Sequence, residues 1–317
     1  MIEQVAVIGS GYMGGGIAQI FALAGRQVRI ADVTAEQAVR SRDRIIGEAA
    51  DYARRGLFPE DAAERIAAHV TAAESIEDAV RQADFIEEAV PEIVPVKHET
   101  LARISAAARP EALIGSNTST ISIATLAEPV VHPERFLGVH FSNPAPFIPG
   151  VEVIPHAGTR PDAGAEVIAL LTESGKLGVE VADVTGFVLN RLQYALFSEA
   201  ARLVEEGVAT AEAVDTITRT TFGYRLPFFG PFAIADMAGL DVYAFCYRSL
   251  SEGYPDRFSA PAALTERVED GALGVKSGRG FLATPPEQLP ALVAHRDEAY
   301  AAMSRLLAEL GEAPVRY

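Results

Sequence analysis

A chain of 317 residues with 49% apolar side chains can bury a substantial core and make two domains or one large α/β unit. Its 43 Asp and Glu against 27 Lys and Arg give a formal charge of −16, which argues against nucleic acid or an anionic membrane as a partner. Cys246 is the sole cysteine, so neither an internal disulfide nor a cysteine-based zinc site can form.

Met1 leads directly into a strand-like run, Gln4 to Ile8, with no basic-then-apolar leader. No later run is long and apolar enough to span a bilayer, so a cytoplasmic protein is expected. Gly9-Ser10-Gly11-Tyr12-Met13-Gly14 comes next, a GxGxxG between that strand and a helix-like segment, Ile17 to Ala24. Gly9, Gly11 and Gly14 would serve a tight turn, close backbone approach to a diphosphate and close helix–strand packing; Tyr12 and Met13 lie in the same cofactor turn. The helix N-terminus adds free N–H groups for an anion. Glycine turns without ligands are common, and the context is what raises this one. A second strand, Gln27 to Ala31, is closed by Asp32, whose carboxylate can bind both ribose hydroxyls and repels a 2′-phosphate. Neither Val33 nor Thr34 offers the arginine that NADP would need, so the expected cofactor is NAD.

Thr34 and Gln37 suggest a capping box for a helix over Ala35 to Ala53. Strand-like runs at Asp84 to Val90, Ala112 to Gly115 and Phe136 to Phe141 then alternate with a helix over Lys97 to Ala108, the pattern of βαβ units and a parallel sheet. Ser116-Asn117-Thr118-Ser119-Thr120 follows one of these strands, where open sheets carry ligand loops; a simple helix cap is the ordinary alternative. His140 ends an apolar run, and Glu152 lies twelve residues on, across a turn held by Pro144, Pro146 and Pro149 and within a strand over Val151 to Ile154. A strand–turn–strand would pair them as a carboxylate-oriented base; a lone histidine is more often just hydrogen-bonded in the sheet. Val179 to Val181 completes the strands.

From Gly186 helices take over. Leu189, Leu192, Leu196, Ala200 and Leu203 make one apolar stripe, and Asn190 in its first turns could reach a cleft or simply cap the helix. Further helices are expected at Ala211 to Phe222, Pro231 to Leu250, Ala260 to Glu269 and Glu287 to Leu310, with a loop over Gly271 to Pro286. The expected fold is α/β: a Rossmann-like, mostly parallel sheet with helices on both faces in residues 1–185, then an all-α domain in residues 186–317. No His/Asp/Glu cluster has metal-ligand spacing, so no metal is expected.

The segments GSGYMGGGIAQ, EEAVPEIVPVK, SNTST, GVHFSNPAPF, VEV, TGFVLNR, GPFAIADMAGLD and KSGRGF, in this order, resemble the 3-hydroxyacyl-CoA dehydrogenase family over almost the entire chain. The resemblance implies an NAD domain, a helical domain that usually makes a homodimer, and a small-molecule hydroxyacyl substrate. It places the family's base histidine on His140, its glutamate on Glu152, its substrate serine on Ser119 and its asparagine on Asn190. Glu92 and Lys97 match residues near the cofactor ribose and nicotinamide, and Asn117 belongs to the same loop set. The family's usual HFFNP is here His140-Phe141-Ser142-Asn143-Pro144, and its TPGF is Thr185-Gly186-Phe187. Those departures resemble side branches acting on carnitine, gulonate or the pyridine carboxylates of pyridoxate breakdown.

Three further readings stay open. Arg54 and Arg55 could bind a CoA phosphate or merely complement a helix end. Lys176, in a surface-like turn, would be the catalytic group if the chain belonged with the lysine-dependent hydroxyisobutyrate enzymes. A non-catalytic, crystallin-like protein is the alternative outside enzymes.

Overall fold

The computed structural model describes residues 2–311. The chain divides into two compact units, Met1–Ala195 and Leu196–Tyr317. Short apolar runs in the first unit become strands: β1 (Gln4–Ile8), β2 (Gln27–Ala31), β3 (Val70–Ala72), β4 (Phe85–Glu88), β5 (Leu113–Ser116), β6 (Phe136–Phe141), β7 (Gly150–Pro155) and β8 (Leu177–Glu180). β4, β5 and β6 are buried at every residue, as strands covered on both faces must be. The sheet order is β3-β2-β1-β4-β5-β6-β7-β8. β1 to β6 run parallel, whereas β7 returns antiparallel to β6 and β8 runs parallel to β7.

The connecting helices are α1 (Tyr12–Leu23), α2 (Ala35–Arg54), α3 (Ala62–His69), α4 (Ile76–Val80), α5 (Val94–Ala107), α6 (Ile123–Ala127) and α7 (Ala163–Glu173). α1, α2, α3 and α7 close a core over one face of the sheet, around Val7, Phe21, Ile45, Phe85 and Val139. α4, α5 and α6 close the other, around Ile8, Ile86, Leu101, Ile114 and Phe136. The order reverses between β1 and β4, which opens a crevice at the carboxyl ends of those strands, the place where such sheets bind ligands. The capping box at α2 is half made: Thr34 Oγ1 accepts from the Gln37 N–H at 3.1 Å, while the Gln37 amide turns to Ser41 and Arg40.

α8 (Leu189–Glu205) runs across the division between the units. The second unit holds α9 (Ala211–Thr220), α10 (Pro231–Ala238), α11 (Leu240–Gly253), α12 (Ala262–Glu269) and α13 (Leu289–Leu310). The single helix expected over Pro231 to Leu250 is broken at Gly239, whose φ of +102° lies outside the helical range and suits only glycine. Asp236 explains the GPFAIADMAGLD and KSGRGF segments together. Its buried carboxylate accepts the N–H of Phe281 at 3.0 Å and of Leu282 at 2.7 Å, and so ties the loop after α12 to α10. Among the described residues no helix is long and apolar enough to cross a membrane, and no cluster of His, Cys, Asp and Glu could hold a metal ion.

Candidate active site

The crevice is floored by the turn after β1. Gly9 has φ +91°, and a Cβ there would stand 2.7 Å from the backbone of Ala89. A Cβ on Gly14 would collide with the Gly9 carbonyl oxygen, so this glycine lets α1 approach β1. Gly11 is different: around it there is open space that a side chain would fill, as a cradle for a ligand requires. The N-terminus of α1 has no side-chain cap and no acidic residue in its first turn, which leaves its N–H groups for an anion. The Tyr12 side chain is exposed and Met13 packs on the core. Asp32, just past β2, is fixed by the Ser10 N–H at 2.9 Å, the Ser10 hydroxyl at 2.6 Å and the Val33 N–H at 2.8 Å. These residues fit an adenine dinucleotide: Asp32 offers the acceptors that a ribose would need, and the glycine turn the N–H groups that a diphosphate would need.

Further along the sheet, the antiparallel register sets His140 of β6 directly opposite Glu152 of β7. His140 Nδ1 lies 2.8 Å from Glu152 Oε2, and the ring is only 5% exposed. The other carboxylate oxygen accepts the N–H groups of Val188 at 2.9 Å and Leu189 at 3.0 Å, so Glu152 also anchors the start of α8. Burial alone would raise the Glu152 carboxyl; the His140 hydrogen bond and the Leu189 and Val188 N–H groups outweigh it and hold the group below the usual carboxylate range. An ionised carboxylate can only accept, so Nδ1 carries a proton, and in the neutral ring Nε2 then presents a lone pair.

A ring of hydrogen bonds joins the remaining residues. Glu92 Oε1 accepts from the Thr118 hydroxyl at 2.7 Å and from the N–H groups of Ser119 at 2.8 Å and Thr120 at 3.0 Å. Burial would raise Glu92 too, but those donors and Lys97 lower it on balance. Asn190 Nδ2 donates to the Ser119 carbonyl at 2.8 Å, linking that loop to α8. Asn117 Oδ1 accepts the Phe141 N–H at 2.8 Å and ties the end of β5 to the end of β6. Ser119, Asn190, Glu152 and His140 are thereby locked to one another through backbone and side chain. Asn190 spends its amide on this frame, which leaves its oxygen and the Ser119 hydroxyl for a ligand.

Lys97 is buried, 1% exposed, with its ammonium 2.8 Å from Glu88 Oε1, 3.2 Å from the Val90 carbonyl and 3.5 Å from Glu92 Oε2. With its donors so engaged, it reaches the crevice through Glu92. Lys176 requires correction: it is no surface residue. It is 5% exposed and donates to the carbonyls of Ala145 at 2.6 Å, Pro146 at 3.0 Å and Ile148 at 2.8 Å, clamping the turn between β6 and β7. Arg54 pairs with Asp51 one turn back on the exposed face of α2, the ordinary helix-end arrangement.

Phe187 was not anticipated. Its ring lies 5.9 Å from that of His140 and is fully buried, at a strained φ of +48° beside Gly186 at +76°. The only signal was the Thr-Gly-Phe triplet itself, which has no periodicity to place it.

The family model described as the 3-hydroxyacyl-CoA dehydrogenase NAD binding domain matches residues 4–184, and that of the C-terminal domain matches residues 186–284. A 5-formyl-3-hydroxy-2-methylpyridine 4-carboxylate 5-dehydrogenase of Mesorhizobium japonicum is 36% identical over 308 residues, 97% of this chain and 99% of that protein. A 3-hydroxybutyryl-CoA dehydrogenase of Bradyrhizobium diazoefficiens is 36% identical over 288 residues, 89% of this chain and 95% of the other. The crystal structure of a 3-hydroxyacyl-CoA dehydrogenase from Archaeoglobus fulgidus superposes with a TM-score of 0.78 at 30% identity, covering 98% and 99% of the two chains.

Proposed function

The chain belongs to the 3-hydroxyacyl-CoA dehydrogenase family of NAD-dependent enzymes acting on CH–OH groups, and on that premise we propose that it oxidises a 3-hydroxyacyl-CoA, such as 3-hydroxybutyryl-CoA, to the 3-oxo thioester. The observation that carries the mechanism is the His140–Glu152 pair at 2.8 Å in register across β6 and β7. Nε2 accepts the proton of the substrate hydroxyl as the C–O bond becomes C=O. Bound NAD supplies the acceptor for the hydride that leaves the same carbon. The imidazolium formed in this step stands against an ionised Glu152, which keeps the ring in one orientation and lowers the cost of its charge. The Ser119 hydroxyl and the Asn190 amide oxygen hold the substrate's oxygen-bearing end, on a frame fixed by Glu92 and, behind it, Lys97. Gly9, Gly11, Tyr12, Met13, Gly14 and Asp32 hold the dinucleotide, and Asn117 keeps its loop against β6. The working division is a cofactor domain of residues 1–185 and a helical domain of 186–317. Exposed Leu192, Phe197, Ile217 and Phe245 on the helices favour a homodimer, which we place in the cytoplasm.

A second reading is favoured by the turn between the paired strands. Phe147, 39% exposed, packs with Tyr52 and Phe58 at ring-centroid distances of 5.1 and 5.7 Å, an aromatic patch suited to a planar ring. The similarity to the pyridine-carboxylate dehydrogenase also runs through the last helix. NAD reduction with 3-hydroxybutyryl-CoA beside a hydroxymethyl- or formyl-pyridine carboxylate separates the two. The thioester should have the higher kcat/KM by at least about tenfold, the low end of what a single group in a pocket is worth in discrimination. A preference for the pyridine acid would transfer the same chemistry to the second substrate class.

A further inference from the structure

Beyond the glycine turn, Arg44 of α2 reaches across to the turn's outer side. Its Nη2 donates to the carbonyl of Ser10 at 2.8 Å and to that of Gly11 at 3.1 Å, and its Nη1 is held by Glu48 at 2.7 Å. The approach depends on Gly15, where a Cβ would stand 2.9 Å from Nη2. A trans peptide unit points its carbonyl and its N–H in opposite directions. Tying back the carbonyls of Ser10 and Gly11 therefore turns the N–H groups of Gly11 and Tyr12 the other way, into the open cradle at Gly11.

We propose that Arg44 is a positioning residue for the cofactor: its guanidinium fork orients the two turn peptides whose N–H groups receive the NAD diphosphate. Glu48 neutralises much of its charge, so the fork's geometry carries the effect and the net charge does not. The GGG run from Gly14 to Gly16 then divides its work among three neighbours. Gly14 admits the Gly9 carbonyl, Gly15 admits Arg44, and Gly16 admits Pro146, whose Cδ would be 2.9 Å from an added Cβ. The inference rests on the NAD site alone and is independent of the substrate proposed above.

The test compares Arg44→Met and Arg44→Lys with the parent full-length protein, using NADH, ADP-ribose and adenosine as ligands. Arg44→Met should weaken NADH and ADP-ribose about tenfold, the scale of losing hydrogen bonds to a charged donor, and adenosine less than about twofold. The KM for NAD should rise in step, with kcat at saturating NAD within about threefold. Arg44→Lys keeps the cation but not the fork and should recover less than half of the lost affinity. Gly15→Ala, which favours the helix and displaces the guanidinium by its Cβ, should reproduce the pattern even if Arg44→Met folds poorly. NADH affinity unchanged in both Arg44→Met and Gly15→Ala, equal losses for adenosine and ADP-ribose, or full recovery in Arg44→Lys would each overturn the proposal.

Discussion

Glu152 decides the protonation of its neighbour, because its lowered pKa keeps it an acceptor and so assigns the proton on His140 to Nδ1. Glu152→Gln presents an amide that can donate to Nδ1 and favour the wrong tautomer; turnover should fall by about a hundredfold or more in steady-state assays, with NADH binding retained. The same depression has a stability consequence. Because the folded-state pKa lies below the unfolded one, the contribution is present above the unfolded pKa near 4.3 and is lost as pH falls through the folded value. Glu87 has the opposite sign. It is fully buried in β4, both its oxygens lack partners, and it occupies the space that a Cβ on Gly115 would need. Burial, then Glu88, raise its pKa well above normal, so its contribution is complete below the unfolded pKa and lost as pH rises through the folded one. Glu87→Met should raise the thermal midpoint, by roughly 1–3 kcal/mol of stability, and more at pH 8 than at pH 5. An equal gain at both pH values would mean that the fold does not raise the Glu87 pKa. The sequence placed Glu87 inside a strand over Asp84 to Val90 and at the start of EEAVPEIVPVK, without marking it as buried and unpaired.

Among the elements, the β6–turn–β7 unit was readable because six- and four-residue apolar runs flanked a turn with three prolines, and twelve residues is a spacing that such a hairpin can close. Its support was not. Lys176 looked like a turn residue from Ser174-Gly175-Lys176, and its three acceptors lie 28 to 31 residues upstream, beyond any local pattern. Lys176→Met would leave the Ala145, Pro146 and Ile148 carbonyls short of a donor, at a cost of about 1–3 kcal/mol. The denaturant midpoint should fall, and kcat should fall far less than in His140→Ala; the reverse ranking would revive the catalytic-lysine reading. α3, β3, α4 and α6 were missed because elements of three to eight residues sustain no period. α7 is long enough, and Val167, Leu170 and Leu171 do share a buried face, but its run was not separated from the loops around it. At Gly239 the apolar pattern continues smoothly while the backbone does not, since a positive φ is invisible to periodicity.

For the molecule as a whole, the ordered series of motifs carried both the fold and the family, because most of the motifs in the first unit sit at strand ends or helix starts that the alternation of elements already located. What it did not carry is the substrate end. Ser142, the Phe147 turn and the long α13 depart from the pattern without naming a ligand. Assembly belongs to the same scale. The exposed apolar side chains of α8, α9 and α11 predict a dimer, so sedimentation equilibrium should give about twice the 33.7 kDa chain mass. A monomer at micromolar concentration would refute the pairing without touching the chemistry.

The chemistry itself is tested most directly by His140→Ala, with turnover on the preferred hydroxy substrate and NADH affinity measured on the same preparation. The account predicts a loss in turnover of at least about a hundredfold with NADH affinity within about twofold of the parent. Turnover within about tenfold of the parent, on a variant that still binds NADH, would contradict it.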